Sequence, residues 1–409
     1  MANKYIPTLL LHSPVPKVRD FAMLAGLDAC VRGILISVMP LTVYDALGSA
    51  ESVSQVYFIA GIASLMVGLM VPFATRFVPR RWMYSAGTLL YILGAALAVH
   101  GGPIAVPLAL IANAAATVTT FVCFNAYVLD YISRSSLSKS QSTNMLYAAA
   151  PWAIGPLLGV WLREWWEPLP FLIGGALGLL LLTTFWILRL GNGKQISRAR
   201  RPAANPLAFI GRFAAQPRLV AGWMFAVVRS CGWWVYVVYL PIFCIENGLG
   251  DKVGGIVLSL SNALLFLTPF MLRITTRLTV RRSVKWAFGL CATGFFAAAL
   301  ASPVPMLAVV LMMAASAMLV VLDAVGGLPF LMAVKPSERT EMAAIYSTFR
   351  DASGILTPGA AWLVLLVAPL PAVFAVASVA MMACVGVAAR LHPRLGQPRP
   401  SRGGLMPGE

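Results

Sequence analysis

Charge is scarce in this chain. Only 11% of its 409 residues are Asp, Glu, Lys or Arg, and acidic residues number 14. Soluble domains carry about 25% charged residues, so an ordinary soluble fold is excluded. Histidine is nearly absent: His12, His100 and His392 fall outside the centres of the apolar runs, which argues against a histidine proton relay. The six cysteines, Cys30, Cys123, Cys231, Cys244, Cys291 and Cys384, show no paired spacing, so neither a disulfide framework nor a metal site is indicated. The chain lacks a nucleophile–base pair and a phosphate-binding loop, so neither enzyme activity nor a cofactor is expected. Residues 1–19 hold too short an apolar run for a cleavable signal peptide.

What the chain has in abundance is apolar sequence, with 59% hydrophobic residues and a mean hydropathy of +0.82. Twelve runs approach the ~20 residues needed to cross ~30 Å of hydrocarbon. They are Asp20–Tyr44, Val53–Thr75, Met83–His100, Ile104–Tyr131, Thr143–Leu162, Leu169–Leu188, Leu219–Cys244, Val253–Leu272, Val284–Ala301, Val304–Ala333, Met342–Val367 and Ala372–Leu391. The expected fold is an all-α membrane protein. The formal net charge of +17 is sorted by side. Lys and Arg crowd the termini and every second loop, whereas Asp45, Glu51, Glu164, Glu167, Glu246 and Asp251 occupy the intervening loops. This positive-inside asymmetry predicts a multi-pass protein of the cell inner (plasma) membrane with both termini cytoplasmic. Membrane lipids, not nucleic acid, are the expected neighbours of the basic residues.

The longest polar stretch splits the spans six and six. The expected division is residues 1–190, a six-helix bundle; residues 191–218, a cytoplasmic linker with an interfacial helix over 206–218; and residues 219–409, a second bundle with a short tail. The halves echo each other at an offset near 200 residues. Arg76-x-x-x-Arg80-Arg81 follows the second span and Arg277-x-x-x-Arg281-Arg282 the eighth. Pro40 matches Pro241, Tyr147 and Gly155 match Tyr346 and Gly354, and Asp28 corresponds to Arg229. Such an internal repeat is typical of secondary transporters.

Twelve spans in two repeated halves, with a basic loop after spans two and eight, resemble the major facilitator superfamily. The resemblance implies two six-helix bundles that rock about a central cavity lined by spans 1, 4, 7 and 10. It also implies a small-molecule substrate, and a monomer is expected. The superfamily's loop signature reads Gly-x-x-x-Asp-Arg-x-Gly-Arg-Arg. Arg80 and Arg81 match its end, but Arg76 replaces the acid, and Asp130 is a candidate replacement anion. Gly155-Pro156-Leu157-Leu158-Gly159 is similar to the span-five Gly-Pro-x-x-Gly-Gly of drug/proton antiporters, with Val160 in place of the last glycine. The antiporters' span-four arginine is absent.

Six ionisable residues lie within apolar spans: Asp28, Arg32, Arg229, Asp323, Arg350 and Asp351. Each costs roughly 2.5–3.5 kcal/mol at a helix centre, so each should face a partner or a wet cavity. Asp28 and Arg32, four apart, share one helix face, either as a cavity pair or as a self-neutralising one. Arg229, with Trp233 a turn later, suits capture of an anion or an ion pair with Asp28 or Asp323 across the halves. Asp323 has no basic neighbour on its own helix and is the first proton-site candidate, with Asp28 second; Asn125 of span four aligns with it. Arg350 and Asp351 point about 100° apart and should reach neighbouring helices as a gate. Gly155, Pro156 and Gly159 form either a hinge or a close-packing element. Together these residues suggest a secondary active transporter coupled to protons and exporting small amphipathic organic compounds. Two alternatives remain open at this point: a proton symporter importing an organic acid or zwitterion, and a non-transporting membrane sensor or assembly partner.

Overall fold

A computed structural model of the chain describes residues 17–75, 77–132, 137–188, 209–267, 271, 279–334 and 339–392. Among these the secondary structure is entirely helical, as lipid requires of any segment that is not part of a closed barrel. The first half contains α1 (Val18–Leu47), α2 (Ala50–Ala74), α3 (Arg80–His100), α4 (Ala105–Tyr131), α5 (Leu137–Trp165) and α6 (Leu169–Ile187). After the short α7 (Ile210–Ala214) comes α8 (Pro217–Trp234), which runs through a π-helical turn (Val235–Tyr239) into α9 (Leu240–Glu246). The second half continues with α10 (Asp251–Ala263), α11 (Val280–Leu300), α12 (Pro305–Val325), α13 (Leu328–Ala333), α14 (Arg339–Ser347), α15 (Phe349–Leu365) and α16 (Pro371–Ala389).

Ten of the twelve expected spans are long and apolar enough to cross a membrane as described helices. The eighth falls on α10 and the 3-10 turn Leu264–Leu267 that follows it, and the eleventh is divided at Thr348 between α14 and α15. That break puts Arg350 and Asp351 in the first turn of α15, where a helix N-terminus favours a carboxylate. The tenth span bends at Gly326-Gly327, between α12 and α13. The π turn of the seventh span ends just before Pro241, which has no N–H to continue a regular ladder. Of the interfacial helix expected over 206–218, residues 206–208 lie outside the described residues; α7 spans Ile210–Ala214, and the Phe213 ring lies 6.4 Å from that of Phe330.

Turn chemistry sets the ends. Gly48, at φ +75°, terminates α1, and the Ser49 hydroxyl accepts from Ser52 N–H to start α2 one residue later. Within the first bundle, α1 packs most extensively on α5. Small residues allow it: a Cβ on Gly33 would lie 2.5 Å from the Pro151 carbonyl oxygen, and one on Gly155 would lie 2.5 Å from the Gly33 carbonyl carbon. A core of Phe21, Tyr84, Tyr127 and Phe185 fills this bundle, with Tyr84 stacked on Phe185 at 4.3 Å. The second bundle's core runs through Phe225, Phe243, Phe288 and Phe374.

The halves meet along α2–α15 and α5–α10. The second bundle's core is continuous with Val43, Val53, Tyr57, Val106 and Leu110 of the first, all toward the end that carries the acidic loops. The two bundles are therefore fused by apolar contact at this acidic face. Because a Cβ added at Gly155 would fall well inside contact distance of the Gly33 backbone, Gly155→Ala should destabilise the protein by about 1–3 kcal/mol through overpacking. Thermal unfolding of the purified variant checks this, and an unchanged melting temperature would contradict the seam.

Candidate functional site

Two chambers follow one another along α1. The upper one, toward the acidic face, encloses about 280 Å³ and takes its walls from both halves, including Arg32, Tyr57, Asn113, Trp152 and Trp234. The lower one, toward the basic loops, encloses about 270 Å³ and is lined by the first half alone, including Asp28, Arg32, Phe121, Asn125, Asn144 and Trp152. Arg32 and Trp152 line both chambers, with the guanidinium 5.2 Å from the ring centroid. That separation is within cation–π range.

Among the described residues each bundle carries an ion pair within its apolar spans. Asp28 meets Arg32 one turn on at 3.4 Å and accepts a hydrogen bond from Tyr91 at 3.0 Å. Tyr91 in turn lies 3.0 Å from the Thr117 hydroxyl. In the second bundle, Arg229 Nε lies 3.0 Å from Asp323 Oδ1, and the Trp233 indole donates to Asp323 Oδ2 at 3.0 Å. The Arg229–Asp323 pair joins α8 to α12 inside one bundle, where the sequence suggested a pairing across the halves. The reason is geometric: both helices belong to the same six-helix unit, and Trp233 orients the carboxylate toward Arg229. Trp233 thus serves the acid, while its neighbour Trp234 turns to the upper chamber and meets Tyr57 edge-on at 6.2 Å.

Arg350 differs from the other two arginines. It forms no ion pair among the described residues; its guanidinium lies 5.5 Å from the Phe121 ring of the opposite bundle and 5.7 Å from Phe349. It also feels the positive charges of Arg32 and Arg229. Asp351 belongs to the same turn and acts on Arg350 electrostatically. Asn125 borders the lower chamber and donates its amide N–H to the Phe121 carbonyl at 2.9 Å.

The remaining site residues lie at the ends. Near the basic loops Arg80 ion-pairs with Asp130 and lies 5.4 Å from the Tyr127 ring centroid; Arg81 neighbours it at the start of α3, and Arg76 lies outside the described residues. Gly155, Pro156 and Gly159 sit where α1, α5 and α10 converge. The Pro156 carbonyl accepts from Ser37 at 2.7 Å, and the next N–H, of Leu157, donates across the halves to Ser259 at 2.8 Å. Val160 fits because α10 has a glycine opposite: a Cβ on Gly255 would lie 2.9 Å from Val160 Cγ2.

Sequence reasoning passed over the seal at the acidic face. The Arg163 side chain, 8% exposed, ion-pairs with Asp45 of its own bundle and with Asp251 of the other, and lies 3.8 Å from Glu167. Lys252 reaches back to Glu164 at 2.8 Å, and Tyr44 donates to Glu246 at 3.3 Å. The Tyr239 and Ser54 hydroxyls meet at 2.8 Å, also between the halves. The signal was present in the chain: Arg163 and Lys252 are isolated cations among acidic loops. Trp152, Asn113 and Asn144 were missed as well, since a polar or aromatic residue inside an apolar span reads equally well as packing. Toward the basic end, Phe121, Gln141 and Met145 are exposed and Asp323 keeps 35% of its side chain accessible. Among the described residues the polar contacts that join the halves gather at the acidic face.

Two bundles about a charged central cavity, joined at one end, define a membrane transporter of the two-bundle type rather than an enzyme. The chain matches the Major Facilitator Superfamily over residues 21–358, and it belongs to that family. Among solved structures it is similar to the nucleoside transporter NupG, with a TM-score of 0.71 at 14% identity over 91% of this chain and 98% of that one. It is also similar to a bacterial homologue of the human lysosomal transporter Spinster in an inward-facing, occupied conformation, with a TM-score of 0.64, 14% identity and coverage of 91% and 94%. The POT family transporter PepTSo gives a TM-score of 0.67 at 12% identity, with coverage of 91% and 98%. No curated protein matches the sequence significantly.

The Arg163 cluster should hold the acidic face shut. In Arg163→Ala, spin labels at Glu167 and Asn247, on loops of opposite halves, should show a larger share of long distances by pulsed dipolar spectroscopy. An unaltered distribution would show that the Arg163 cluster does not hold this face.

Proposed function

We propose that the protein is a secondary active transporter working by alternating access, coupled to protons and carrying an organic acid or zwitterion. The observation that carries the choice of solute is Arg350. It is a cation without a carboxylate partner among the described residues, set between two aromatic rings beside two further arginines. A guanidinium outside the ion pairs repels a lipophilic cation and favours an anionic group, which it binds in bidentate fashion. The likeness to nucleoside, Spinster-type and POT family transporters supports the fold and leaves the solute to be argued from the cavity.

The basic loops support an orientation with that face in the cytoplasm of the inner membrane and both termini on that side. In this frame the described arrangement is inward-open. Residues 1–190 and 219–409 are the two bodies that rock, and residues 191–218 tether them. Asp323 and Asp28 are the proton sites: protonation removes the charge that holds Arg229 or Arg32, and the freed guanidinium is then available to the solute. Arg76, Arg80, Arg81, Asp130, Arg350 and Asp351 belong to the inner gate, and Gly155, Pro156 and Gly159 to the outer seal. Proton-driven efflux of small amphipathic compounds is the second reading, and the glycine–proline element of α5 favours it.

Thermal stabilisation of the purified protein by carboxylates, zwitterions and lipophilic cations separates the two. Stabilisation by carboxylates, weakened about tenfold or more in apparent affinity by Arg350→Ala, supports the acid reading. Stabilisation by lipophilic cations alone supports efflux. In proteoliposomes, Asp323→Asn should abolish accumulation driven by a pH gradient while sparing solute exchange. Retained coupling in that variant would remove Asp323 as a proton site.

A further inference from the structure

The second bundle carries a group of cations that the ion pairs, the seal and the chambers all leave unused. In the first half the basic loop is answered by an acid, since Arg80 meets Asp130. Its repeat partner Arg281, and with it Arg282, Lys285 and Arg390, meets no carboxylate among the described residues. Arg282 and Lys285 stand three apart near the start of α11, with Trp286 beside them, and all three are exposed. The same helix face continues through Leu290, Phe296 and Leu300, also exposed, so it is the side of α11 that meets lipid. Beside it lies α16, whose Ser378 hydroxyl donates to the Ala292 carbonyl at 2.8 Å. As α16 advances from Ser378 to Val385, its contact on α11 retreats from Ala292 to Gly289, so the two helices run antiparallel. Arg390 lies about 7.5 Å beyond Val385 and Arg282 roughly 10.5 Å before Gly289, which brings the cations to similar depth. Packed helices lie about 8–10 Å apart, so long side chains on both can reach one headgroup. One turn deeper than Lys285 and Arg390 come Gly289 and Gly386. A Cβ on Gly386 would meet nothing within 4 Å, and one on Gly289 only Val385 Cγ2 at 3.9 Å.

We propose that this face of α11 and α16 binds one anionic phospholipid from the leaflet at the basic end. Its phosphate lies among Arg282, Lys285 and Arg390, and an acyl chain runs over Gly289 and Gly386, where no side chain stands in its way. The Trp286 ring lies at headgroup depth, the level that suits an aromatic with one polar edge. Three fixed cations select for a net negative headgroup, because a zwitterionic lipid carries its own cation to the site. The first half offers no equal, since there Asp130 already answers Arg80. This site is independent of the solute and of the direction of transport.

The test measures lipid binding to the purified full-length protein by native mass spectrometry. The probes are phosphatidylglycerol and phosphatidylcholine with the same acyl chains, and phosphatidylglycerol should bind about tenfold tighter or more. Arg282→Gln with Lys285→Gln should lower phosphatidylglycerol affinity by about tenfold. Arg19→Gln with Arg218→Gln removes as much charge from exposed positions elsewhere at the basic end and should change it less than about twofold. Gly386→Leu keeps every cation but puts a side chain in the acyl path, and should weaken binding by about threefold or more. Equal binding of the two lipids overturns the proposal. Equal losses in the two double variants overturn it as well, since the overall charge of the basic face would then account for binding. Displacement of phosphatidylglycerol by an equal concentration of inorganic phosphate assigns the cations to a soluble anion, and an unaffected Gly386→Leu removes the acyl path; either result overturns the site as drawn.

Discussion

Every feature of this molecule follows from the cost of placing a charge in hydrocarbon. Six ionisable residues sit in membrane helices, and none of them is left simply facing lipid. Asp28 and Arg32 neutralise each other on α1, while Arg229 and Asp323 do so between α8 and α12. Arg350 stacks on aromatic rings at the boundary between the bundles, and Asp351 occupies a helix first turn beside it. Burying such pairs rarely improves stability over apolar residues of similar volume. Their persistence in the core of two bundles is intelligible as the cost of a polar route through the membrane.

The two faces of the protein are held by different physics. At the acidic face, one apolar cluster runs without interruption from the first bundle into the second, and the ion pairs of Arg163 and Lys252 close over it. Toward the basic end the first bundle keeps a core of its own, and the lower chamber belongs to that bundle alone. The upper chamber is different in kind, because residues of both bundles form its walls. A movement of one bundle against the other would leave the lower chamber intact and dismantle the upper one. Close-packed glycine contacts join α1 to α5 at Gly33–Gly155, and Gly61–Gly354 and Gly255–Val160 bring the two bundles together.

Much of this was legible in the chain. The membrane spans are a one-dimensional signal, fixed by run length. The six intramembrane charges stood out for the same reason, and so did Asp130 as a partner for the basic loop. What escaped was any property that needs two distant segments at once. Arg229 was read with Asp28 or Asp323 as its partner, and the placement of α8 beside α12 decides for Asp323. Trp233 and Trp234 are indistinguishable in sequence, yet one anchors the acid and the other lines the cavity. Asn113 and Asn144 each looked like a polar residue tucked into packing.

The sequence by itself determined that the protein spans a membrane many times in two related halves, and it named the charges that lipid would not tolerate unaided. Those conclusions rest on the transfer energy of single side chains, which each residue carries wherever the chain goes. Tertiary structure alone decided which acid each arginine meets, which face joins the halves, and that one guanidinium and one indole serve two chambers. These are relations between helices far apart in the chain, fixed by how small residues let backbones approach, and no residue carries them alone.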